Sequence, residues 1–294
     1  MPLERAGDRS IRRFEREVQL TSALTHPNTV AIFDFGRTPD GISYYVMEYL
    51  DGITLQDLVE HSGPLPPARV VHLLRQLCGA LTEAHAVGLV HRDIKPANLM
   101  LCVRGLVSDH LKVLDFGLVK DPGETNKLSV TNTELLLGTP SYMAPEAIMN
   151  AASVDATTDI YSLGAVAYFL LVGEPVFMGS STMEVCVKHV HEAPAPPSSR
   201  ASQTIPAALE TLVLGCLSKA PKERPASASE LSRRLVELEP SLVWSARDAD
   251  DWWKNSARQV IAAASARQAS AGQSPGPQTL AIDWAARHAP TAVA

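Results

Sequence analysis

Residues 91–98 hold the side chains in this sequence that are best suited to chemistry. They read HRDIKPAN and match the pattern H-R-D-x-x-x-x-N. In that pattern the carboxylate of the Asp receives the proton of a hydroxyl group, and the Asn five residues later binds a metal ion. The two residues here are Asp93 and Asn98, with Lys95 between them. The stretch therefore predicts a site that activates a hydroxyl group beside a metal ion.

Two further short motifs follow in the order and at the spacing that such a site requires. Residues 115–117 read DFG, and residues 144–146 read APE. A solvated charged loop is the plain alternative for a single match, but three motifs in this order rarely arise by chance. The second motif ends a longer segment, GTPSYMAPE at residues 138–146. On these motifs the chain resembles the serine/threonine protein kinases, specifically the eukaryotic-like kinases of bacteria.

The resemblance implies transfer of the γ-phosphoryl group of ATP to serine or threonine hydroxyls of protein substrates, with ATP and Mg²⁺ as cofactors. It makes Asp93 the base, Lys95 the residue that neutralises charge on the moving phosphoryl group, and Thr139 a residue that steadies both. Asn98 and Asp115 are the implied magnesium ligands, since a hard divalent cation prefers carboxylate and amide oxygens. The D-I-K-P form of the loop resembles serine/threonine rather than tyrosine kinases.

The same resemblance implies an ATP pocket in the first hundred residues. Backbone groups of Glu48 and Leu50 are expected to bind the adenine edge, with Met47 at the back of the pocket and Met100 beneath the ring. Glu17 occupies the place of the glutamate that pairs with the ATP-positioning lysine. Taken without the resemblance, Glu17 is a surface carboxylate and Glu48 is a strand end.

Two elements of the family pattern are missing from this sequence. Kinases cover the ATP phosphates with a glycine-rich loop and hold them with a lysine, both upstream of the glutamate-bearing helix. The residues before Glu17 contain one glycine, Gly7, and the first lysine of the chain is Lys95. One hypothesis is that Met1 is an internal methionine, which mass spectrometry of the native protein would test. The alternative function is a non-catalytic kinase-like scaffold or a truncated fragment.

Hydrophobic periodicity, residue composition and, for the helices after residue 150, the resemblance predict the elements that must position these residues. Apolar residues at three- and four-residue steps predict a helix over residues 8–25, before an H-P-N turn. β-branched and aromatic residues predict antiparallel strands over residues 29–35 and 42–48, joined by a turn at 39–41. Short strands are predicted at 99–101 and 111–114, around a polar hairpin at 104–110, and helices at 54–60, 66–88, 159–171, 181–192, 207–218 and 227–238.

The expected fold class is α+β, in a protein-kinase-like two-lobed fold. Residues 1–238 form the predicted kinase domain. Within it, residues 1–50 are a truncated N-terminal lobe and hinge, with a helix and residual antiparallel strands, and residues 51–238 are a mostly helical C-terminal lobe.

Several residues outside the catalytic motifs have structural roles implied by the resemblance. Glu146 is expected to form a buried ion pair with Arg224, and Asp159 to fix the backbone of the catalytic loop. His91 is expected to pack and orient rather than to act as an acid or base.

The segment 118–138 contains the hydroxyl-bearing residues Thr125, Ser129, Thr131 and Thr133. Arg92 is suited to pair with a phosphate there, so autophosphorylation of this segment is one interpretation. Unmodified threonines are equally common in such loops and are the alternative. The sequence does not distinguish among these hydroxyls.

Residues 239–294 form a tail rich in Ala and Ser that contains all four tryptophans of the chain. A flexible, partly disordered linker is the preferred interpretation of this composition. The alternative is a helix over residues 248–267 that docks on the kinase domain or on a partner, because aromatic residues are unusual in linkers.

Composition excludes several classes of protein. The 294 residues are 46% hydrophobic and 20% charged, with a net charge of −6, so no basic stripe is available for nucleic acid. The four cysteines lie far apart and are expected to be small buried thiols in a reducing compartment. No apolar run reaches the length of about eighteen residues that spans a membrane. The expected location is the cytoplasm.

Overall fold

The computed structural model describes residues 16–38, 43–116, 140–150, 153–238 and 242–270. Thr139, the expected autophosphorylation segment 118–138 and the predicted turn at 39–41 lie outside the described residues.

A helix and a two-stranded antiparallel sheet make up the N-terminal part of the described chain. Residues 16–22 are helical (α1), and β1 (Ile32–Arg37) pairs with β2 (Ser43–Met47). The predicted helix is confirmed over residues 16–22, where it ends three residues before its predicted end, and both predicted strands are confirmed. The first strand begins later than predicted because Thr29 forms an isolated parallel bridge with Val113 instead of pairing with β2.

A second, three-stranded antiparallel sheet follows, in the order β3 (Gly52–Thr54), β4 (Leu99–Arg104), β5 (Val107–Val113). Strand β3 was not predicted, because its three residues are too few to show an alternation of apolar and polar side chains. The predicted polar hairpin over residues 104–110 is wrong in extent, since β5 already begins at Val107. Its polar residues belong to the strand because their side chains have partners elsewhere in the fold; Asp109, for example, is fully buried.

The C-terminal part of the fold is mostly helical. Its helices are α2 (Leu55–Ser62), α3 (Pro67–Ala86), α4 (Pro145–Met149), α5 (Ala156–Val172), α6 (Thr182–His191), α7 (Ala207–Cys216) and α8 (Ala228–Leu238). Helix α5 is apolar on all sides and buried along almost its whole length, as expected of a helix in the centre of a core. A capping box at Asp155 begins it, and Gly173 ends it with a positive φ of 85°.

The two sheets are joined at the C-terminal end of β5. Val113 N–H donates to the carbonyl of Asn28 over 2.8 Å, and Val30 N–H donates to the carbonyl of Val113 over 3.0 Å. The side-chain amide of Asn28 also donates to the carbonyl of Leu111 over 2.7 Å. The H-P-N turn after α1 is thereby tied to the strand that leads into Asp115.

The tail is helical over most of its described length. Helices α9 (Ala246–Asn255) and α10 (Ala257–Ser270) pack against β5, α2 and β3. Ala257, Val260 and Ala264 form the buried face of α10. The preferred linker interpretation is therefore wrong for these residues, and the docked-helix alternative is the one observed. Two helices form instead of one because the chain breaks at Ser256.

Within the described ranges, no helix has both the length and the apolar character needed to cross a lipid bilayer.

Candidate active site

Asp159, on α5, holds the backbone of the catalytic loop. Its carboxylate is fully buried and accepts hydrogen bonds from the backbone N–H groups of His91 (2.8 Å) and Arg92 (2.9 Å). His85 Nε2, near the end of α3, lies 2.8 Å from the same carboxylate. Arg92 adopts a positive φ of 65°, a conformation that costs free energy for a residue with a side chain. The two hydrogen bonds stabilise this turn, as the sequence predicted for Asp159.

His91 packs inside the protein and orients the loop. Its Nε2 lies 2.9 Å from the carbonyl of Leu114, and its Nδ1 accepts from the N–H of Asp93 over 3.3 Å, which fixes a neutral imidazole with the proton on Nε2. Burial lowers the pKa of His91, although neighbouring carboxylates oppose the shift. The ring also packs against that of Phe116, with the two ring centroids 4.6 Å apart and the planes tilted by 43°. The expectation of a packing residue agrees with this geometry.

Asp93, Lys95 and Asn98 converge on one carboxylate. Lys95 Nζ lies 2.9 Å from Asp93 Oδ2, and the amide nitrogen of Asn98 lies 3.1 Å from the same oxygen. The Asn98 amide also donates to the Asp93 carbonyl over 2.8 Å. Two donors on one oxygen set the orientation of the carboxylate. Since the Asn98 nitrogen donates to Asp93, the amide oxygen is the atom available to a cation.

Asp115 follows β5 and is tied to the catalytic loop through the backbone. The N–H of Leu114 donates to the carbonyl of Asn98 over 2.9 Å. Asp115 itself has a positive φ of 47°. Strained backbone of this kind clusters at functional sites.

The hydroxyl of Tyr45 donates to Asp115 Oδ1 over 2.6 Å. Burial, together with this hydrogen bond, raises the pKa of Tyr45, so the phenol stays protonated and remains a donor. Sequence reasoning did not single out Tyr45. The available signal was weak: Tyr45 alternates in β2 with Met47, and its partner lies 70 residues away in the chain.

Among the residues that the structure describes, the Asp115 carboxylate and the Asn98 amide are the oxygen donors that the site offers to a cation. No group of three or more His, Cys, Asp or Glu side chains that could hold a metal ion occurs among the residues described. A pair of oxygen ligands fits Mg²⁺, which keeps several waters and binds substrate phosphates, and does not fit a fully protein-ligated metal centre.

Residues 48–51 connect the two sheets and correspond to the predicted hinge. The carboxylate of Glu48 is buried and accepts from Lys112 Nζ (2.5 Å) and from the N–H of Ala31 (3.0 Å). Arg104 lies 2.6 Å from its second oxygen. Burial raises the pKa of Glu48, but the bonds to Lys112 and Ala31 outweigh it and the net pKa is lowered. The N–H of Glu48 donates to the carbonyl of Ala31 over 2.9 Å.

Met47, Leu50 and Met100 are each half-buried around this connection. Met47 ends β2, and Met100 lies on β4 opposite Thr54 and Lys112. Met47 and Leu50 thus flank the connection between the two sheets, and Met100 lies in the strand paired with β3.

Glu17 faces the catalytic loop from α1. Its carboxylate lies 3.6 Å from the guanidinium of Arg92, and both side chains are partly exposed. The sequence assigned these residues to other partners, Glu17 to a lysine and Arg92 to a phosphate. Their pairing instead joins α1 directly to the loop that carries Asp93.

Glu146 and Arg224 form the predicted buried ion pair. Two guanidinium nitrogens of Arg224 lie 2.7 and 2.8 Å from the two carboxylate oxygens of Glu146. Thr158 on α5 donates to the same carboxylate over 2.9 Å. The pair joins the APE motif to α5 and to the turn before α8.

Residues 1–235 match the protein kinase domain family. The chain is 42% identical over 229 residues to the serine/threonine-protein kinase PknB of Mycolicibacterium smegmatis, and 38% identical over 232 residues to the serine/threonine-protein kinase pkn3 of Myxococcus xanthus. The alignments cover 77% and 78% of this chain but 36% and 42% of these relatives. The chain therefore spans less than half the length of either relative.

Solved structures give the same assignment. The kinase domain of PknI from Mycobacterium tuberculosis matches with a TM-score of 0.59 and 28% identity, covering 78% of this chain and 79% of that one. Rad53 in complex with AMP-PNP matches with a TM-score of 0.62 and 25% identity, covering 75% and 53%. With its motifs, its two-part α+β fold and these relatives, the chain belongs to the protein kinase domain family and is of the bacterial serine/threonine-protein kinase type.

Proposed function

We propose that this chain transfers the γ-phosphoryl group of ATP to serine and threonine hydroxyls of proteins. The observation that carries the proposal is the convergence of Lys95 Nζ and the Asn98 amide on Asp93 Oδ2, at 2.9 and 3.1 Å. A carboxylate held in a fixed orientation beside a cation suits a base that receives a hydroxyl proton.

The proposed reaction assigns a separate task to each side chain. Asp93 accepts the proton of the substrate hydroxyl while the oxygen of that hydroxyl forms a bond to the γ-phosphorus. The bond from that phosphorus to the β,γ-bridging oxygen breaks, and the leaving group is ADP. Lys95 lies beside Asp93 and neutralises charge on the phosphoryl oxygens during the transfer. Thr139 is proposed to steady both residues, by the family pattern alone.

The proposed cofactors are ATP and Mg²⁺. Asn98 through its amide oxygen and Asp115 through its carboxylate would hold the metal. When bound there, the metal would neutralise negative charge on the phosphates. Tyr45 keeps the Asp115 carboxylate in one orientation through its 2.6 Å hydrogen bond. Hydrogen-bonded partners of this kind orient metal ligands in many sites.

The proposed adenine site lies at residues 48–51, with Met47 behind the ring and Met100 beneath it. The carbonyl of Glu48 and the backbone of Leu50 would bind the adenine edge. The ion pairs of the Glu48 carboxylate with Lys112 and Arg104 hold this connection in place. Rad53, whose structure contains AMP-PNP, is a relative by fold and supports nucleotide binding here.

A second candidate is a kinase-like protein that binds partners without catalysis. The pairing of Glu17 with Arg92 favours it, because the Glu17 carboxylate then has a partner in the catalytic loop and not in an ATP-positioning lysine, which the sequence does not contain. On this alternative, Glu17 has no role in ATP binding.

Phosphoryl transfer by the 294-residue chain tests the first candidate. Radiolabelled ATP with Mg²⁺ is supplied with the chain alone and with a generic protein substrate, and phosphoserine and phosphothreonine are measured. Asp93→Asn keeps the size of the side chain and removes the base, so we expect transfer to fall by about 10²–10⁴-fold. The matched control is Glu237→Gln, which changes an exposed carboxylate on α8. It should leave transfer unchanged.

Nucleotide binding separates the two candidates. Calorimetry with Mg·ATP should show binding by both the wild type and Asp93→Asn if the first candidate holds. Equal transfer by wild type and Asp93→Asn would refute catalysis by Asp93. A wild type that folds but neither binds nor transfers would support the second candidate.

Further parts of the proposal rest on the relatives. The substrates are proteins with serine or threonine hydroxyls, and residues 118–138 are the proposed site of autophosphorylation, which phosphopeptide mapping would locate. The proposed compartment is the cytoplasm, consistent with four cysteines that are buried and free.

A further inference from the structure

The carboxylate of Asp109, on β5, receives four hydrogen bonds, two of them from the tail. Arg69 on α3 donates to both carboxylate oxygens, at 2.8 and 2.7 Å. The indole N–H of Trp244 donates to Oδ2 over 2.9 Å, and that of Trp253 donates to Oδ1 over 2.8 Å. Each oxygen therefore has one arginine donor and one tryptophan donor.

The same tail segment covers the face of Arg69. The centroid of the Trp252 ring lies 4.2 Å from the guanidinium carbon, and that of Trp244 lies 5.2 Å from it. Cation–π contacts of this kind gain strength when they are desolvated, and Arg69 is only 1% exposed. We call Trp244, Trp252 and Trp253 the tryptophan clamp.

The clamp gives the buried ion pair the partners that it needs. A buried salt bridge is favourable only when its remaining hydrogen-bonding capacity is satisfied, since desolvation of both charges is costly. With the tail removed from this face, Asp109 would keep Arg69 and lose two of its four donors.

The clamp contacts an irregular point of β5. Cys102 pairs with His110 and Arg104 pairs with Val107, so residues 108 and 109 lie opposite one residue of β4 and form a bulge. Asp109 has a positive φ of 54°, which is uncommon for a residue with a side chain. Ser108 donates to Asp250 on α9 over 2.6 Å. Both residues of the bulge are thus held by the tail.

The bulge is linked to the strand end that precedes Asp115. The backbone carbonyl of Asp109 accepts from the side-chain amide of Gln76 over 2.9 Å. The amide oxygen of Gln76 accepts from Leu111 N–H (3.0 Å) and from the side chain of Asn28 (2.8 Å). The carbonyl of Asn28 in turn accepts from Val113 N–H. Strand β5 is therefore fixed at several points from the bulge to its end.

We propose that the tail segment 242–270 positions Asp115 by holding the β5 bulge through the tryptophan clamp. Trp244 and Trp253 are positioning residues in this proposal. They act on the metal ligand through Asp109 and the course of β5. The segment lies beyond residue 235, where the match to the kinase family ends. The metal-binding part of the proposal rests on the proposed function, whereas the control of β5 by the clamp does not.

The test compares full-length variants that differ in indole N–H groups. The double variant Trp244→Phe/Trp253→Phe keeps two aromatic rings and removes both tail donors to Asp109. Trp252→Phe is the matched control, because Trp252 contacts Arg69 through its ring and is not one of the donors to Asp109. Ser108→Ala is a milder second variant that removes one contact of the bulge with α9.

Amide hydrogen exchange is the first readout, and it requires no catalysis. We expect exchange in peptides covering residues 107–116 to rise about tenfold or more in the double variant, the scale of losing hydrogen bonds to a charged group. Ser108→Ala should show a smaller rise in the same peptides, and Trp252→Phe the smallest. If the double variant fails to fold, the comparison of Ser108→Ala with Trp252→Phe decides the question.

The second readout is the ratio of ATP affinities with and without Mg²⁺. A general loss of structure lowers both affinities, whereas displacement of Asp115 lowers only the Mg²⁺-dependent gain. We expect that gain to fall about tenfold in the double variant. Unchanged exchange at residues 107–116 despite faster exchange in 242–270 would overturn the proposal, as would an unchanged ratio. A third outcome is possible: exchange changes in the double variant, but Mg²⁺ does not raise the ATP affinity of the wild type. That outcome would support control of β5 by the clamp and reject the metal role of Asp115.

Discussion

Replacement of Arg224 tests how strongly the APE segment is tied to the C-terminal helices. Arg224→Met keeps the length and much of the volume of the side chain and removes its donors. The wild-type guanidinium donates to both oxygens of Glu146 and to the carbonyls of Thr157, Ser218 and Lys219. Glu146 would keep its bond from Thr158 and lose its counter-charge.

The expected loss of unfolding free energy in Arg224→Met follows from the burial of the ion pair. The Arg224 side chain is fully buried and that of Glu146 is 9% exposed, so water can replace the lost donors only poorly. Removing one partner of a buried pair costs about 3–5 kcal/mol, a large part of the stability of a typical domain. For a domain of this size, the melting temperature should fall by roughly 6–20 °C.

Lowering the pH should reduce the difference in unfolding free energy between the wild type and Arg224→Met. Burial raises the pKa of Glu146, but the hydrogen bonds and charge of Arg224 outweigh it, so the net pKa lies below its usual value. The contribution of this carboxylate to wild-type stability is therefore complete above the unfolded pKa and is lost as pH falls through the folded pKa. In the variant burial acts without Arg224 and raises the pKa, so protonation relieves the buried charge. The stability difference between the two proteins should shrink between pH 7 and pH 4.

Urea unfolding at several pH values measures both effects. The matched control is Arg233→Met, which breaks an exposed ion pair with Glu237 on α8 and should cost less than about 1 kcal/mol. A loss at Arg224 as small as at Arg233, or a difference that stays constant with pH, would refute the reasoning.

Two further predictions concern the residues around the catalytic loop. Tyr45→Phe removes the donor to Asp115, and we expect Mg²⁺-dependent ATP affinity to weaken by about tenfold, with little change in melting temperature; unchanged Mg²⁺ dependence would exclude an orienting role for Tyr45. Asp159→Asn replaces one acceptor of the His91 and Arg92 N–H groups with an amide donor, and a displaced loop should lower kcat by roughly 100-fold with a smaller effect on KM for ATP. Steady-state kinetics measures the second effect, and wild-type turnover in a folded variant would contradict it.

The sequence predicted features whose partners lie close together in the chain. Asp93, Lys95 and Asn98 fall within one loop, so their convergence follows from a short motif. Helix α3 was predicted because a period of 3.6 residues repeats over several turns, whereas the later helices of the C-terminal part were expected from the family resemblance. The pairing of Glu146 with Arg224 was expected only through the family resemblance, since 78 residues separate them.

Features that depend on distant partners were missed or assigned differently. Glu17 pairs with Arg92, and Tyr45 donates to Asp115, although neither pairing has a local signal. These contacts depend on how α1 and β2 pack against the catalytic loop. Packing of this kind is determined by the fold as a whole and not by the residues adjacent in sequence.

The tail shows most clearly what the sequence determines and what only the tertiary structure determines. Its Ala- and Ser-rich composition by itself favoured a linker, because few of its residues are large and apolar. The tertiary structure decided otherwise, since Trp253 finds an acceptor 144 residues away in Asp109. The sequence alone determined that tryptophans occur in this tail. Only the fold places Arg69 and Asp109 together in a buried pair. That pair supplies the acceptor for the indole N–H groups and the cation on which the rings pack, so the tail binds there.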